Sequence, residues 1–287
     1  MAKSHKIRQV IKSTEKTAVI TKAMQVVSAS KLPNAMGRLE QAAPYADLAH
    51  RIMSHYSELG THPYFKPRNK AKASGLLVIS SDRGLCGSLN LQLFKQVVKH
   101  LRTEEQAGNT VHMSVMGQKG IRFFQKQVQF VSEVTNLGDK PTLEQLMPLI
   151  QPLLSRYDNG EIDTIYVAYN QFENTLSQLA TIHPILPLPL PESAAKYPPD
   201  YQYEPNAESV ADTLLKQYIE STIYRLVIEN ITCEQAARMI AMKNATDNAK
   251  EIIHELNLTY NKIRQALITQ EIAEISAGAN QSIGEDL

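Results

Sequence analysis

The longest uninterrupted pattern in the chain lies near its C-terminal end. About 70 residues, from Asn206 to Ala277, contain neither Gly nor Pro. Apolar or small side chains recur there every three or four residues, which is the spacing of a helix that pairs with a second helix. These positions are Leu215, Ile219, Thr222, Leu226, Ala245, Ala249, Ile252, Leu256, Tyr260, Ile263 and Leu267. Such a helix would be about 100 Å long, so we expect it to project from any globular body, with residues such as Arg225 and Glu234 facing outward.

A second long helical pattern opens the chain, between Ser4 and about Ser57. Its recurring positions are Ile7, Ile11, Thr14, Ala18, Thr21, Met24 and Ser28. Several of these are small, which would let a partner helix approach closely, so we expect the two long helices to form a coiled coil. Pro33 removes one backbone hydrogen bond at a cost of about 3 kcal/mol, which predicts a kink or a short break near Leu32.

Between the two helices the pattern changes to strands that alternate with helices. We expect strands at 75–80, 111–116, 128–134, 162–171 and 176–184, and helices at 89–101, 117–126 and 142–157. Only four residues separate the last two strands, so these must form an antiparallel hairpin. The pattern therefore predicts a mostly parallel sheet that is covered by helices on both faces and has an antiparallel strand at one edge.

These patterns divide the chain into five segments. We expect an N-terminal long helix at 1–58, a linker at 59–73, an α/β domain at 74–190, a Pro- and Tyr-rich connection at 191–207, and the C-terminal long helix with a tail at 208–287. The linker is expected to be exposed because it contains Pro63, Pro67 and several basic residues. The connection is expected to be extended because seven prolines lie between Pro184 and Pro205.

Composition and charge narrow the functional classes. The chain has 43% hydrophobic residues and no apolar run near the ~20 residues that a membrane span needs. Residues 1–38 carry eight Lys or Arg against one Glu, a local charge of +7. This basic segment is typical either of a nucleic-acid arm or of the charges beside a coiled-coil seam, and the second interpretation is favoured. Cys86 and Cys233 are far apart and lack metal-site spacing, so a reducing cytoplasm is expected.

One segment has the position of a ligand-binding loop. Residues 81–90, SDRGLCGSLN, follow a strand and open a helix, where doubly wound folds bind phosphates. Gly84 and Gly87 are spaced as GxxG, however, and the P-loop Lys is absent, so a tight turn with Ser88 as the helix cap is favoured. Cys86 has no His within ten residues and is more typical of a structural thiol. We therefore expect no cofactor, no metal and no self-contained active site.

Four motifs are more specific than these patterns. They are residues 22–31 (KAMQVVSASK), 81–90 (SDRGLCGSLN), 234–248 (EQAARMIAMKNATDN) and 260–275 (YNKIRQALITQEIAEI). Over essentially its whole length, and in the same order, the chain resembles the gamma chain of F-type ATP synthase. The resemblance implies a long antiparallel coiled coil of the N- and C-terminal helices plus a Rossmann-like mixed-sheet α/β domain. It also implies a central rotor shaft that couples proton-driven rotation of the c ring to ATP synthesis, without being catalytic alone.

The resemblance also implies partners and contact residues. The partners are the alpha and beta subunits, which form a ring of three of each, together with the epsilon subunit and the membrane c ring, but no nucleic acid. The chain would be peripheral to the inner cell membrane on its cytoplasmic side, attached only through the complex. The beta-subunit contacts expected by position are Met24, Arg238, Arg264 and Gln265. The c-ring contacts expected by position are Tyr203 and Glu204. The cysteine-bearing insertion of chloroplast members is missing, which argues against thiol control.

Two other functions remain open at this point. A basic coiled-coil adaptor could bind nucleic acid through residues 3–38, and its affinity would fall steeply with salt. A small Rossmann-type enzyme could instead use the loop around Gly84, and the isolated chain would then bind nucleotide. A rotor shaft predicts neither behaviour.

Overall fold

The computed structural model describes residues 2–55, 62–68, 72–189 and 207–284. Two long helices, α1 (Ala2–His55) and α5 (Ala207–Gly284), enclose all the other elements in sequence. These are β1 (Ala73–Ile79), α2 (Leu89–Gln106), β2 (Thr110–Met116), α3 (Gln118–Phe124), β3 (Phe130–Val134), α4 (Leu143–Asp158), β4 (Thr164–Phe172) and β5 (Gln178–Leu186). The chain divides into two compact units, one of residues Ser28–Arg238 and the other of the residues before and after that range.

The five strands of the larger unit form one sheet in the order β3-β2-β1-β4-β5. Strand β1 pairs parallel with both β2 and β4, and β3 pairs parallel with β2. Strand β5 is antiparallel to β4 at the edge of the sheet, because a short hairpin joins the two. The predicted mixed sheet with an antiparallel edge strand is therefore confirmed, although β3 begins at Phe130 rather than at residue 128.

Helices cover both faces of this sheet. Along β1, Leu76 and Val78 belong to the apolar cluster that includes residues of α2 and α3. Leu77 and Ile79 belong to the cluster that includes residues of α4 and α5. The alternation follows from the strand geometry, in which successive side chains point to opposite faces. Each fully buried aliphatic side chain contributes about 1.5–3 kcal/mol, so these two layers are the main source of stability of the unit.

The first half of α5 lies in this core rather than in a coiled coil. Residues 215, 219 and 226, which were predicted on a narrow seam, are almost fully buried in the cluster with α4. Eight consecutive residues, Leu226 to Cys233, are buried, as in a helix that is surrounded on all sides. The prediction that Arg225 and Glu234 face outward is therefore wrong, since Arg225 is half-buried and the Glu234 side chain is only 14% exposed. This half of α5 packs together with α4 on one face of the sheet and shields its apolar side chains from water.

In the smaller unit, α1 and α5 pack against each other. The hydroxyl oxygens of Thr21 and Thr246 are 2.8 Å apart, and Ile11 shares a groove with Tyr260. Residue numbers rise on one helix as they fall on the other, so the pair is antiparallel, as predicted. Between residues 242 and 267 of α5, the buried or half-buried positions are 242, 246, 249, 253, 256, 260, 263 and 267, together with 245 beside 246. Apart from 245, their spacing alternates between four and three residues. This is the heptad repeat of a coiled coil.

One seam position differs from the prediction. Ile252 is 47% exposed, whereas the neighbouring Ile253 is half-buried on the seam. Both isoleucines fit a spacing of three and four between Ala249 and Leu256, and the sequence alone does not separate them. A shift of one residue turns a side chain by about 100° around the helix axis, which moves it from the seam to solvent.

Helix α1 continues through Pro33, so the predicted short break is absent. Pro33 cannot donate to the carbonyl of Ala29, four residues before it. Both residues are exposed, so water can bind that carbonyl instead. The proline is tolerated because it lies on the solvent side of α1, while Leu32 and Ala35 on either side of it are buried.

Part of the predicted exposed linker is packed. Tyr64 and Phe65 are 4% and 5% exposed and belong to the main apolar cluster. The Tyr64 hydroxyl donates to Asp158 at 2.7 Å, and its carbonyl accepts from the amide of Leu188 at 2.7 Å. The guanidinium of Arg68 lies 4.3 Å from the centre of the Tyr157 ring. The prolines of this segment therefore shape a loop that is anchored by its aromatic residues.

Substitution of Asn230 by alanine is expected to destabilise the chain. Its amide oxygen accepts from both the backbone and the side-chain nitrogen of Asn170, at 3.1 and 2.9 Å, and both residues are 1% exposed. Removing it leaves two buried donors without an acceptor, at a cost of about 2–4 kcal/mol in the free energy of unfolding. Urea denaturation measures this loss. The control Asn248→Ala, an exposed site on the same helix, should change stability by less than about 0.5 kcal/mol, and equal losses would contradict the assignment.

Candidate functional site

The strand order reverses at β1, which lies between β2 and β4. Open α/β sheets bind ligands beyond the carboxyl ends of their strands at such a reversal. Here the crevice lies between the loop that follows β1 at Ile79 and the end of β4 at Phe172. The crevice includes the SDRGLCGSLN segment. If protein side chains fill the crevice, this segment has a structural role, and if the crevice is open, the segment could bind a ligand.

Helix α5 occupies the β4 side of this crevice. The Glu229 carboxylate accepts from the amide of Phe172 at 3.0 Å. The Cys233 thiol donates to the carbonyl of Asn170 at 3.2 Å. With the Asn230–Asn170 bonds, α5 thus satisfies backbone and side-chain groups of β4 that would otherwise be left buried without partners. Desolvation raises the pKa of Glu229, an effect that its bond from the Phe172 amide and the nearby Arg225 partly oppose.

Arg238 occupies the β1 side of the crevice. Its Nε donates to the carbonyl of Gly84 at 3.2 Å, and a terminal nitrogen donates to Glu234 at 2.5 Å. Arg238 is only 6% exposed. Desolvation raises the pKa of Glu234, and the adjacent Arg238 charge opposes that rise. In this chain the guanidinium therefore holds the loop after β1, and its contact with a beta subunit stays a prediction from the resemblance.

The loop after β1 is closed by its own groups. The Asp82 carboxylate accepts from the amides of Gln118 and Asn136, at 3.1 and 2.9 Å, and so joins three loops. The backbone has positive φ at Gly87 (+62°) and at Leu85 (+64°), which turns the chain sharply between β1 and α2. Ser88 takes the predicted cap position, although its side chain makes no capping bond. The loop serves as a tight turn that Arg238 anchors, which removes the support for a phosphate site there.

The two cysteines are buried thiols at the place where α5 packs against the end of β4 and the loop after β1. Cys86 and Cys233 are 3% and 0% exposed and share one apolar cluster with Leu89. Burial raises the pKa of both thiols above the ordinary value. A protonated, buried thiol is a poor nucleophile, so the structure supports the structural role that was predicted for Cys86.

A second polar contact joins both long helices to the loop between β3 and α4. Asp139 in that loop accepts from Lys31 of α1 at 2.6 Å and from Gln235 of α5 at 2.9 Å. Arg38 of α1 donates to the backbone carbonyl of Asp139 at 2.7 Å. Sequence reasoning missed this site because its partners lie about 100 positions away in the chain, and the only local signal is the turn at Gly138, with φ of +70°.

The residues expected to contact other subunits are placed separately. Arg264 and Gln265 are exposed on α5, and Met24 is half-buried on α1. Antiparallel pairing sets Met24 opposite a position near 243, about 20 residues from Arg264 and therefore about 30 Å along the coil. The structure does not bring Met24 together with Arg264 and Gln265. The other two calls, Tyr203 and Glu204, lie outside the described residues.

The smaller unit carries an unusual share of exposed apolar side chains. Among the described residues, ten of the sixteen exposed large hydrophobic side chains belong to it. They are Val10, Val19, Ile20, Val26, Val27, Ile252, Leu258, Ile268, Ile272 and Ile275. Exposed apolar surface on a paired helix is typical of an interaction site. The sequence signal for this surface is the presence of apolar residues outside the heptad positions.

Within the described ranges, no group of three or more His, Cys, Asp or Glu residues could hold a metal ion. Within the same ranges, no helix is long and apolar enough to cross a membrane.

Comparison with known proteins gives concordant matches. A family model described as ATP synthase matches residues 3–281. A curated ATP synthase gamma chain from Glaesserella parasuis serovar 5 (strain SH0165) is 43% identical over 286 residues, covering 97% of this chain and 99% of the relative.

Solved structures of low sequence identity share the fold. A chain of the Euglena gracilis mitochondrial ATP synthase rotor has a TM-score of 0.63 at 18% identity, over 93% of this chain and 99% of that one. A chain of the OSCP/F1/c-ring structure of the same synthase reaches 0.69 at 18% identity, over 100% and 97%. A chain of the Tetrahymena thermophila mitochondrial central stalk and c-ring gives 0.60 at 24%, over 79% and 99%.

Replacing Glu229 by glutamine is expected to remove a pH dependence of stability. Glutamine can still accept from the Phe172 amide but carries no charge to desolvate. Because the folded pKa of Glu229 is raised above its ordinary 4.5, the native state binds more protons than the unfolded state just above that pH. Ionisation of Glu229 therefore lowers stability as pH rises through this window. Urea titrations should show the variant gaining stability relative to wild type from pH 4 to pH 8, and parallel curves would contradict this.

Proposed function

Because this chain belongs to the ATP synthase gamma chain family, we propose that it is the central rotor shaft of an F-type ATP synthase. It couples proton-driven rotation of a c ring to ATP synthesis at the beta subunits of a ring of three alpha and three beta chains. One observation carries the proposal. Buried contacts at residues 229–238 hold α5 against the sheet domain, and the same helix continues as one of the two helices of an antiparallel coiled coil.

A shaft needs a firm attachment at the end where it is turned. The attachment here is both apolar and polar, because residues 226–233 are buried on all sides and Arg238 holds the loop after β1. A helix buried in this way cannot rotate about its own axis without breaking several buried hydrogen bonds. The α/β domain is therefore suited to transmit rotation to the helix that leaves it.

The coil is suited to act on surrounding subunits because its faces differ. A shaft shifts a neighbour's conformational equilibrium only by the difference in its interaction energy with the two states of that neighbour. If a catalytic site changes its affinity for nucleotide from ~1 nM to ~1 mM, that difference is about 8 kcal/mol. Exposed aliphatic side chains such as Val19, Ile20 and Ile272 lie on this coil beside charged and polar ones. A sliding surface suits Val, Ile and Leu better than aromatic anchors, which would bind one angle too tightly.

Individual residues take roles in this proposal. Arg264 and Gln265, both exposed, contact a beta subunit near one end of the paired helices, and Met24 contacts one near the opposite end. Arg238 acts on a beta subunit through the Gly84 loop that it anchors. The pair at 203 and 204, in the connection before α5, meets the c ring.

The remaining assignments follow from the same proposal. The chain is not catalytic alone, and the nucleotide sites belong to the alpha and beta chains. It contacts the epsilon subunit and the c ring through the α/β domain, proposed as residues 74–190, and is held at the cytoplasmic side of the inner cell membrane only through the complex. Of the proposed helical segments 1–58 and 208–287, the parts that form the coil, residues up to 27 and from 239 on, enter the ring. Segments 59–73 and 191–207 connect the long helices to the domain.

Co-purification from solubilised membranes tests the function directly. A tagged copy of this chain, isolated under mild detergent conditions, should bring down alpha, beta and epsilon chains in fixed ratio. The matched control is a tagged variant truncated before Met239, which lacks the part of α5 that pairs with α1 in the coil. This variant should no longer bring down the alpha and beta chains. Recovery of the full-length chain alone would contradict the proposal.

The double substitution Arg264→Ala with Gln265→Ala is expected to impair coupled ATP turnover without affecting folding. Both side chains are exposed, so the free energy of unfolding should change by less than about 0.5 kcal/mol. ATP synthesis and ATP-driven proton pumping in reconstituted vesicles measure the functional effect, and several-fold losses are expected. The control replaces Lys126 and Gln127, an exposed basic–amide pair of the sheet domain, by alanine and should behave as wild type. Unchanged coupled rates in assembled enzyme would remove Arg264 and Gln265 from the interface.

A further inference from the structure

We propose that Asp139 is a positioning residue that holds α1 and α5 in fixed rotational register on the sheet domain and thereby bears torque. The inference rests on the rotor function proposed above and assigns one part of it to a joint. Asp139 lies in the loop between β3 and α4, at the same edge of the sheet as the loop that Arg238 anchors.

The geometry at Asp139 is that of a three-way clamp. Its two carboxylate oxygens are used separately, one by Lys31 of α1 at 2.6 Å and the other by Gln235 of α5 at 2.9 Å. Its backbone carbonyl accepts from Arg38 of α1, two turns beyond Lys31, at 2.7 Å. One loop residue is thus hydrogen-bonded to both long helices, and it is bonded to α1 at two points along the length of that helix.

Hydrogen bonds resist rotation of a helix more effectively than apolar packing does. Burial of apolar surface is non-directional, so packed aliphatic side chains resist separation better than they resist sliding or rotation. Hydrogen bonds weaken steeply with angle, and those to a carboxylate are the stronger ones. A rotation of either helix against the sheet domain must therefore break the Asp139 bonds. For α5 it must also break the bonds of Glu229, Asn230 and Arg238, whereas for α1 the bonds to Asp139 are the directional contacts described here.

The other ion pairs in the described part of the chain do not bridge the two helices. Arg238–Glu234 and Lys250–Asp247 each lie within α5, Arg156–Glu161 lies at the end of α4, and His62–Asp212 joins a loop to α5 alone. The Lys31 and Asp139 side chains are 38% and 42% exposed, so this pair adds little to folding stability. Its distinctive property is its position, and substitution of Asp139 should leave the fold intact.

Single-molecule rotation of the assembled complex tests this role. The chain is assembled with the alpha and beta chains of the same synthase, and a bead is attached to a cysteine that replaces the exposed Glu105 of α2. Native Cys86 and Cys233 are buried, so the new thiol is labelled selectively. The readout is the angular variance of the bead during the dwells in which the motor waits for ATP. A residue that only stabilised the fold would lower the melting temperature and leave this variance unchanged.

For Asp139→Ala the variance should rise roughly two-fold, since two of the three hydrogen bonds are lost, while the ATP hydrolysis rate stays at the wild-type level. Glu161→Ala, which removes an ion pair of similar exposure within the same unit, should match wild type. The double variant Lys31→Met with Gln235→Leu removes the same two bonds from the helices and should reproduce the widening.

The outcomes separate the inference from the function beneath it. If the wild-type complex hydrolyses ATP and the bead does not rotate, the proposed rotor function fails. If it rotates and both Asp139→Ala and the double variant keep the wild-type variance, the torque-bearing role of Asp139 is overturned. Equal widening in Glu161→Ala would overturn it as well, because the effect would then not depend on the clamp. If Asp139→Ala does not assemble, the double variant alone decides.

Discussion

Polar groups at the end of strand β4 must find partners inside the protein, and helix α5 provides them. Asn170 and Phe172 of β4 are bonded by Asn230 and Glu229 of the helix, at the point where an open α/β sheet would ordinarily bind a ligand. A buried amide without a partner costs about as much as a lost hydrogen bond, so the helix is fixed there in both position and rotation. Helix α5 and Arg238 therefore occupy the crevice in which an open α/β sheet would bind a ligand.

Much of the fold follows from local pattern. The alternation of apolar strands with helices and the four-residue hairpin after Phe172 indicate a mixed sheet, and the heptad spacing of α1 indicates a coil. The pattern could not separate burial against a helix from burial against a sheet, because both need apolar residues every three or four positions. Leu215 and Leu226 were therefore assigned to a seam, although they cover the sheet. Adjacent apolar residues such as Ile252 and Ile253 left the seam ambiguous by one position.

The contacts of Arg238 and Asp139 were harder to predict from the sequence than the fold, because their hydrogen bonds join residues that are far apart in the chain. The motif around Gly84 predicts the tight turn that the structure has, yet nothing near it in the sequence indicates that Arg238 donates to the Gly84 carbonyl. Asp139 lies in an unremarkable loop, and its partners Lys31 and Gln235 are separated from it by about 100 residues on either side. Conversely, Arg264 and Gln265 were selected by resemblance alone, and their exposure is what a contact with another subunit requires.

The central claim is that residues 226–233 of α5 are anchored within the sheet domain, whereas residues 263–275 near its end are mostly exposed in the free chain and are covered by other subunits on assembly. Hydrogen exchange, compared between the free chain and the assembled synthase, tests this claim most directly. The account predicts that amides of residues 226–233 exchange slowly in both states, because they are buried within the chain itself. Amides of residues 263–275 should exchange rapidly in the free chain and become strongly protected on assembly. Equal exchange of residues 263–275 in both states, or slowing of 226–233 only on assembly, would contradict the account.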